Sequence, residues 1–127
     1  MIITTPISLG ELVDKISILK IKSKNIIDAE KLTLINNELA LLELTLKKSV
    51  SDSKINQYVY KLIEINSELW KIEDDIRDCE RNKIFDKKFI ELARSVYITN
   101  DKRSEIKLEI NKYFGSVLVE VKSYEKY

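Results

Sequence analysis

The sequence contains no histidine. Histidine is the commonest general base and the commonest transition-metal ligand, so its absence excludes catalytic Ser–His and Cys–His pairs and most transition-metal sites. The single cysteine, Cys79, cannot form an internal disulfide or build a zinc site, and it suits a reducing compartment. We therefore predict a cytoplasmic protein that uses no metal and no cofactor, and we interpret Cys79 as a small core residue.

Glycine and proline, the residues that interrupt regular structure, are rare, and positive and negative charges nearly balance. Among 127 residues there are two glycines and one proline, which predicts long helices, and the net charge is only +1. A balanced chain does not bind nucleic acid or an anionic membrane non-specifically. No apolar run approaches the roughly 20 residues of a membrane span, and the first residues lack the features of a signal peptide. We expect one domain, residues 1–127, with no nucleic-acid or membrane partner.

Capping residues and apolar spacing predict the first two helices. Ser8 can cap helix one while Glu11 reaches back to the Ser8 amide, and this helix should run to about Lys24. Helix two should cover about 29–48. It has a stripe of apolar residues, broadened by three further leucines, so more than one of its faces should be buried. The stripe comprises Leu32, Ile35, Leu39, Leu42 and Leu46, and the further leucines are Leu34, Leu41 and Leu44.

Helix three, about 53–81, is predicted to be the longest and to form the spine of an antiparallel bundle. Its apolar residues alternate in steps of three and four, the pattern of a helix-packing seam. They are Ile55, Tyr58, Leu62, Ile65, Leu69, Ile72, Ile76 and Cys79.

The remaining segments leave two alternatives open. Asp86 can cap a fourth helix, and Asn100–Asp101 either interrupts it or lies within one continuous helix that ends at Gly115. The alternating residues of 116–124 predict a strand, whose only β-like partner is the segment 1–5. The fold class is thus mainly all-α: an antiparallel bundle of four to five helices, with a small β ribbon from the two termini. The ribbon either closes within the chain or exchanges between two copies of a dimer.

All four arginines lie between positions 77 and 103, whereas the other basic residues are lysines. Arginine grips carboxylates and phosphates with a rigid fork and tolerates partial burial. The polar residues around these arginines follow apolar faces of helices three and four, as expected for helices whose far halves line a pocket. We predict a ligand site in which guanidinium groups from two helices converge. Its residues are Trp70, Glu73, Arg77, Arg94, Tyr97, Asn100, Asp101 and Arg103.

Three of these candidates, Arg77, Arg94 and Trp70, also have a structural interpretation. Arg77 can pair with Glu73 one turn away, and Arg94 with Glu91 or Asp101, as internal struts. Trp70 can be a packing anchor.

Two further groups of residues are interpreted as unrelated to a site. Asp14 and Lys15, near the start of helix one, are interpreted as solvated positions. The tyrosines near the carboxyl end, Tyr113, Tyr124 and Tyr127, are poor evidence for base stacking in a chain of balanced charge.

Four blocks of the chain, "SLGELVDKISILKIK", "ELWKIEDDIRDCE", "FIELARSVYITNDKRSEIK" and "GSVLVEVKSY", resemble a bacterial protein family of unknown function. They occur in the family's order and span nearly the whole chain. The family is sometimes found beside sugar-transfer and surface-polysaccharide proteins. Cys79 stands where the family often has lysine, which argues against a role for the thiol. The resemblance implies importance for Glu11, Asp14, Lys15, Trp70, Glu73, Asp74, Arg77, Arg94, Tyr97, Asn100, Asp101, Arg103, Glu120, Lys122 and Tyr124.

Two functions remain open. The first is a non-catalytic binding or assembly module, a homodimer that holds an anionic small molecule or a protein partner, linked to surface-polysaccharide or sugar-transfer metabolism. The second is a small enzyme that positions an anionic substrate electrostatically, without metal, histidine or a covalent intermediate. The sequence does not decide whether the protein is an enzyme.

Overall fold

Four α-helices make up the regular secondary structure of the computed structural model, which describes residues 1–127. They are α1 (Leu9–Asn25), α2 (Ala29–Ser49), α3 (Ile55–Arg81) and α4 (Lys87–Tyr113). The predicted all-α bundle is confirmed, with four helices and no fifth. No helix combines the length and the apolar character needed to cross a bilayer.

Side-chain caps set three of the four helix starts. Ser8 accepts a hydrogen bond from the third amide of α1 at 3.2 Å, and Asp28 and Asp86 do the same for α2 at 2.9 Å and α4 at 3.2 Å. These oxygens satisfy amides that have no partner within the helix. α3 begins without a side-chain cap, and in the turn before it the Asp52 carboxylate accepts a hydrogen bond from the Lys54 amide at 2.9 Å.

The segments predicted as a fourth and possibly a fifth helix form the single helix α4. Asn100 does not cap a new helix, because its side-chain oxygen instead accepts a hydrogen bond from Arg103 Nη1 at 3.3 Å. α4 ends as expected at Gly115, whose φ of +66° suits glycine. The Ser116 amide donates to the Asn111 carbonyl at 2.8 Å, as in a Schellman cap.

The helices pack around α1, which contacts all three of the others, while α3 and α4 form a long hairpin. The core lies toward the start of α3 and the end of α4. It comprises Val13, Ile55, Tyr58, Val59, Leu62, Ile65 and Ile110. α2 contacts α1 alone, and Ile35 is its only buried residue. The expectation that more than one face of α2 is buried is therefore not met within a single chain.

The predicted β ribbon does not form. Residues 1–8 and 115–127 contain no strand, and the first residues, Met1, Ile2 and Ile3, are exposed. The tail, residues 116–127, instead lies along the bundle and is attached by its polar side chains. Glu120 binds Lys107 at 2.9 Å, and the Tyr127 hydroxyl donates to Asp101 at 2.7 Å. These polar contacts take the place of strand pairing, and they give the buried Lys107 a carboxylate partner.

Candidate functional site

At the base of the site, α1 and α4 pack unusually close together. A Cβ atom on Gly10 would lie 2.6 Å from the backbone oxygen of Lys107, a distance that real Cβ atoms essentially never show. The Gly10 amide donates to the Asn111 side chain at 2.7 Å. Gly10 and Ser17, which would weaken an isolated helix, are both buried. The missing side chain of Gly10 lets α1 approach α4 this closely.

Asp14 lies at the centre of a buried polar cluster, which we call the Asp14 cluster: Asp14, Ser17, Asn66 and Arg103. Asp14 is 1% exposed, so its interpretation as a solvated residue is wrong. Its Oδ1 accepts from Asn66 Nδ2 and from Arg103 Nε, both at 2.9 Å, and its Oδ2 accepts from Arg103 Nη2. Asn66 Nδ2 also donates to Ser17 Oγ at 2.8 Å. The cluster joins α1, α3 and α4, and the bidentate pair satisfies a carboxylate that would otherwise be costly to bury.

This cluster holds the Arg103 side chain in place, but not every N–H group of its guanidinium has a partner. Its hydrogen bond to Asp14 raises the pKa of the guanidinium, against the lowering effect of burial. Of the five N–H groups that a guanidinium carries, two donate to Asp14 and one to Asn100. Two N–H groups are left without a partner in the chain, and the side chain is 25% exposed.

Lys107, one turn further along α4, forms a second buried ionic group. Its Nζ binds Glu11 at 2.7 Å and Glu120 at 2.9 Å. Burial alone would lower the pKa of Lys107, but the two carboxylates outweigh burial and raise it. The hydrogen bond from Lys107, supported by Lys122, lowers the pKa of Glu120. Because Glu11 binds Lys107, it is not observed to complete the predicted capping box at Ser8.

A cleft of about 1330 Å³ opens above the Asp14 cluster, between α1, α3, α4 and the tail. The tail closes one side of it. The Tyr127 ring lies 5.2 Å from the Tyr97 ring, edge to face, and the Tyr127 hydroxyl bonds to Asp101. That hydrogen bond raises the pKa of Tyr127 to about 12. Of the other residues that the expected family resemblance implied, Asp74, Glu120, Lys122 and Tyr124 also line this cleft.

The structure brings six of the eight predicted site residues to this cleft: Trp70, Glu73, Tyr97, Asn100, Asp101 and Arg103. Arg77 and Arg94 do not line it. Arg77 pairs with Glu73 at 3.3 Å on the surface, as its structural interpretation predicted, and Arg94 is exposed. Arginines from two helices therefore do not converge, and Arg103 alone supplies a guanidinium.

The lining is aromatic and slightly acidic. Four aromatic residues contribute to it: Trp70, Tyr97, Tyr124 and Tyr127. Six carboxylates and four cationic side chains line the cleft. The carboxylates are Glu73, Asp74, Asp101, Glu105, Glu120 and Glu125, and the cations are Lys22, Arg103, Lys122 and Lys126. No group of cysteines and carboxylates in the chain is arranged to hold a metal ion. The cleft is therefore suited to binding through aromatic faces and hydrogen bonds.

Two buried polar residues of the site, Asn66 and Lys107, were not among the predicted site residues. Asn66 does lie on the face of helix three that was expected to turn polar and line a pocket. The burial of Asp14 could have been predicted from one face of α1, on which small residues flank the carboxylate. The residues of this face are Gly10, Asp14, Ser17 and Ile21.

No protein-family model, curated protein or solved structure matches this chain.

Proposed function

We propose that the protein is a non-catalytic binding module whose cleft holds a small, oxygen-rich molecule of the sugar class. The observation that carries this proposal is the pair of unpartnered Arg103 N–H groups beside an aromatic lining. The family resemblance, with its setting near sugar-transfer and surface-polysaccharide proteins, agrees with this ligand class.

The charge of Arg103 argues for a neutral acceptor. Asp14 already balances the guanidinium, and carboxylates outnumber cations around the cleft. A strongly anionic group such as a diphosphate would be repelled by those carboxylates. A sugar hydroxyl or carbonyl oxygen can accept from the two free N–H groups without adding charge. In place of the anionic ligand expected from the arginine cluster, we therefore propose an oxygen-rich ligand that is neutral where it meets Arg103.

The aromatic rings and carboxylates of the cleft suit the ring face and the hydroxyl groups of a sugar. The C–H face of a sugar ring is apolar and packs on aromatic rings such as Trp70 and Tyr97. Its hydroxyls donate hydrogen bonds that carboxylates such as Asp74 and Glu105 accept strongly. Aromatic faces combined with oriented polar groups are usual in a small-molecule site.

The enzyme alternative has weaker support from the geometry. Electrostatic catalysis needs donors or cations directed at a charge that develops in the transition state. The partly buried Arg103 is already paired with Asp14, and the buried Lys107 with Glu11 and Glu120. Their charge is therefore used to hold the fold together.

The test is a binding screen followed by substitution of the aromatic lining. Neutral oligosaccharides, sugar acids and nucleotide sugars are titrated by NMR, and we expect saturable shifts with neutral sugars. Trp70→Ala should weaken binding about tenfold or more, because a stacking face is lost, while Trp70→Phe should retain most of it. Tyr60→Ala is the matched control, since Tyr60 is 73% exposed outside the cleft. The proposal fails if only nucleotide sugars or other strong anions bind, or if Trp70→Ala and Tyr60→Ala behave alike.

A further inference from the structure

The outer face of α2 is apolar and has no partner within the chain. α2 contains seven leucines, yet Ile35 is its only buried residue, and among the helices it contacts only α1. On the side away from Ile35, Leu34, Leu41 and Leu44 are 70%, 52% and 50% exposed. Three large aliphatic side chains aligned on one helix face are more than the scattered exposed residues of an ordinary surface.

These leucines belong to a regular seam. The positions 30, 34, 37, 41, 44 and 48 alternate in steps of four and three, the spacing of residues that face a second helix in a coiled coil. The seam consists of Glu30, Leu34, Asn37, Leu41, Leu44 and Lys48. Glu30 and Lys48, at its two ends, take part in none of the ion pairs of the chain.

We propose that this seam binds the same seam of a second copy, with the two α2 helices antiparallel. Around a twofold axis near position 39, Glu30 meets the partner's Lys48, Leu34 meets the partner's Leu44, and Asn37 meets the partner's Leu41. Each pairing occurs twice, so the surface is complementary to itself, as an isologous dimer interface must be. A parallel arrangement would instead place the two copies of Glu30 together and the two copies of Lys48 together, which like-charge repulsion disfavours.

This dimer differs from the one expected from the sequence. The α3 seam is occupied inside the bundle, since Tyr58, Leu62 and Ile65 are buried there, and the termini form no ribbon. The α2 seam, in contrast, is an apolar surface that stays free. No residue of α2 lines the cleft, so the dimer does not depend on the proposed ligand.

Light scattering and sedimentation over a wide range of protein concentrations test the interface. We expect the wild-type protein to reach twice the 14.9 kDa of one chain. Leu41→Glu should raise the dissociation constant at least about tenfold, because each dimer loses two central leucines and gains two charges in an apolar seam. Ile90→Glu is the matched control, since Ile90 is an aliphatic residue of similar exposure, 56%, on α4. It should leave the dimer unchanged.

A charge exchange tests the antiparallel register. Glu30→Lys and Lys48→Glu should each weaken the dimer, and the double substitution should restore it, because the end pairs are then re-formed with opposite polarity. A wild-type protein that stays monomeric, a Leu41→Glu variant that dimerises as well as Ile90→Glu, or a double variant weaker than both single variants would each overturn the proposal. Sugar binding by a monomeric Leu41→Glu variant is expected, so the two proposals fail separately.

Discussion

The Asp14–Arg103 pair offers the sharpest test of how the site is built. Asp14→Ala leaves the Arg103 guanidinium, which is 25% exposed, without its carboxylate, and leaves Asn66 Nδ2 with Ser17 as its one acceptor. Removing one partner of a buried ion pair costs about 3–5 kcal/mol. Because a quarter of Arg103 reaches solvent, water recovers part of that loss, and we expect a cost of about 3 kcal/mol.

Arg103→Met should cost more, about 4 kcal/mol, because the residue left behind is a carboxylate only 1% exposed. The double variant Asp14→Ala/Arg103→Met leaves no unpaired charge. Its cost should therefore be smaller than the sum of the two single costs, by about 2 kcal/mol.

Urea unfolding followed by circular dichroism measures these free energies. The matched control is Lys71→Ala, which removes the exposed pair of Lys71 with Asp75 at 3.0 Å and should cost no more than about 0.5 kcal/mol. If Asp14→Ala costs no more than Lys71→Ala, or if the two single costs simply add, the Asp14 cluster does not hold the helices together and our reasoning about the site is refuted.

Three further predictions concern the helix contact and the tail. Gly10→Ala should destabilise the protein by about 2 kcal/mol in urea unfolding, because the added methyl group meets the backbone of Lys107; a neutral effect would mean that α1 and α4 can separate freely. The pKa of Glu120 is lowered in the folded state, so its stabilisation is present above its ordinary pKa of 4.5 and is lost as the pH falls through the lowered value. Glu120→Gln should therefore destabilise the protein above pH 4.5 and have little effect in stronger acid, whereas an equal effect at both pH values would contradict the ion pair. Tyr127 should ionise near pH 12, and Asp101→Asn should return its pKa toward the ordinary 10.0, as read from ultraviolet absorbance against a Tyr127→Phe reference.

Local features of the sequence were sufficient to predict where the helices lie, although not whether residues 87–113 form one helix or two. The caps Ser8 and Asp86 act within one turn, and the apolar spacing of α3 follows the period of a single helix, so neither depends on distant residues. For the same reason the position of Gly115 as the end of α4 was predictable. The six predicted residues that line the cleft could also be predicted from the pattern of a single helix, since they lie where an apolar face of α3 or α4 becomes polar.

The tertiary structure decided which charges are buried and where the tail lies. Asp14 meets Arg103 across 89 positions of the chain, and Lys107 meets Glu11 across 96. Such pairings depend on which helices become neighbours, and the hydrophobic spacing of one helix carries no record of the charged residue that will face it. The alternation in the tail predicted a strand, and that prediction was wrong: Glu120 pairs with the buried Lys107, and no second strand lies beside the tail.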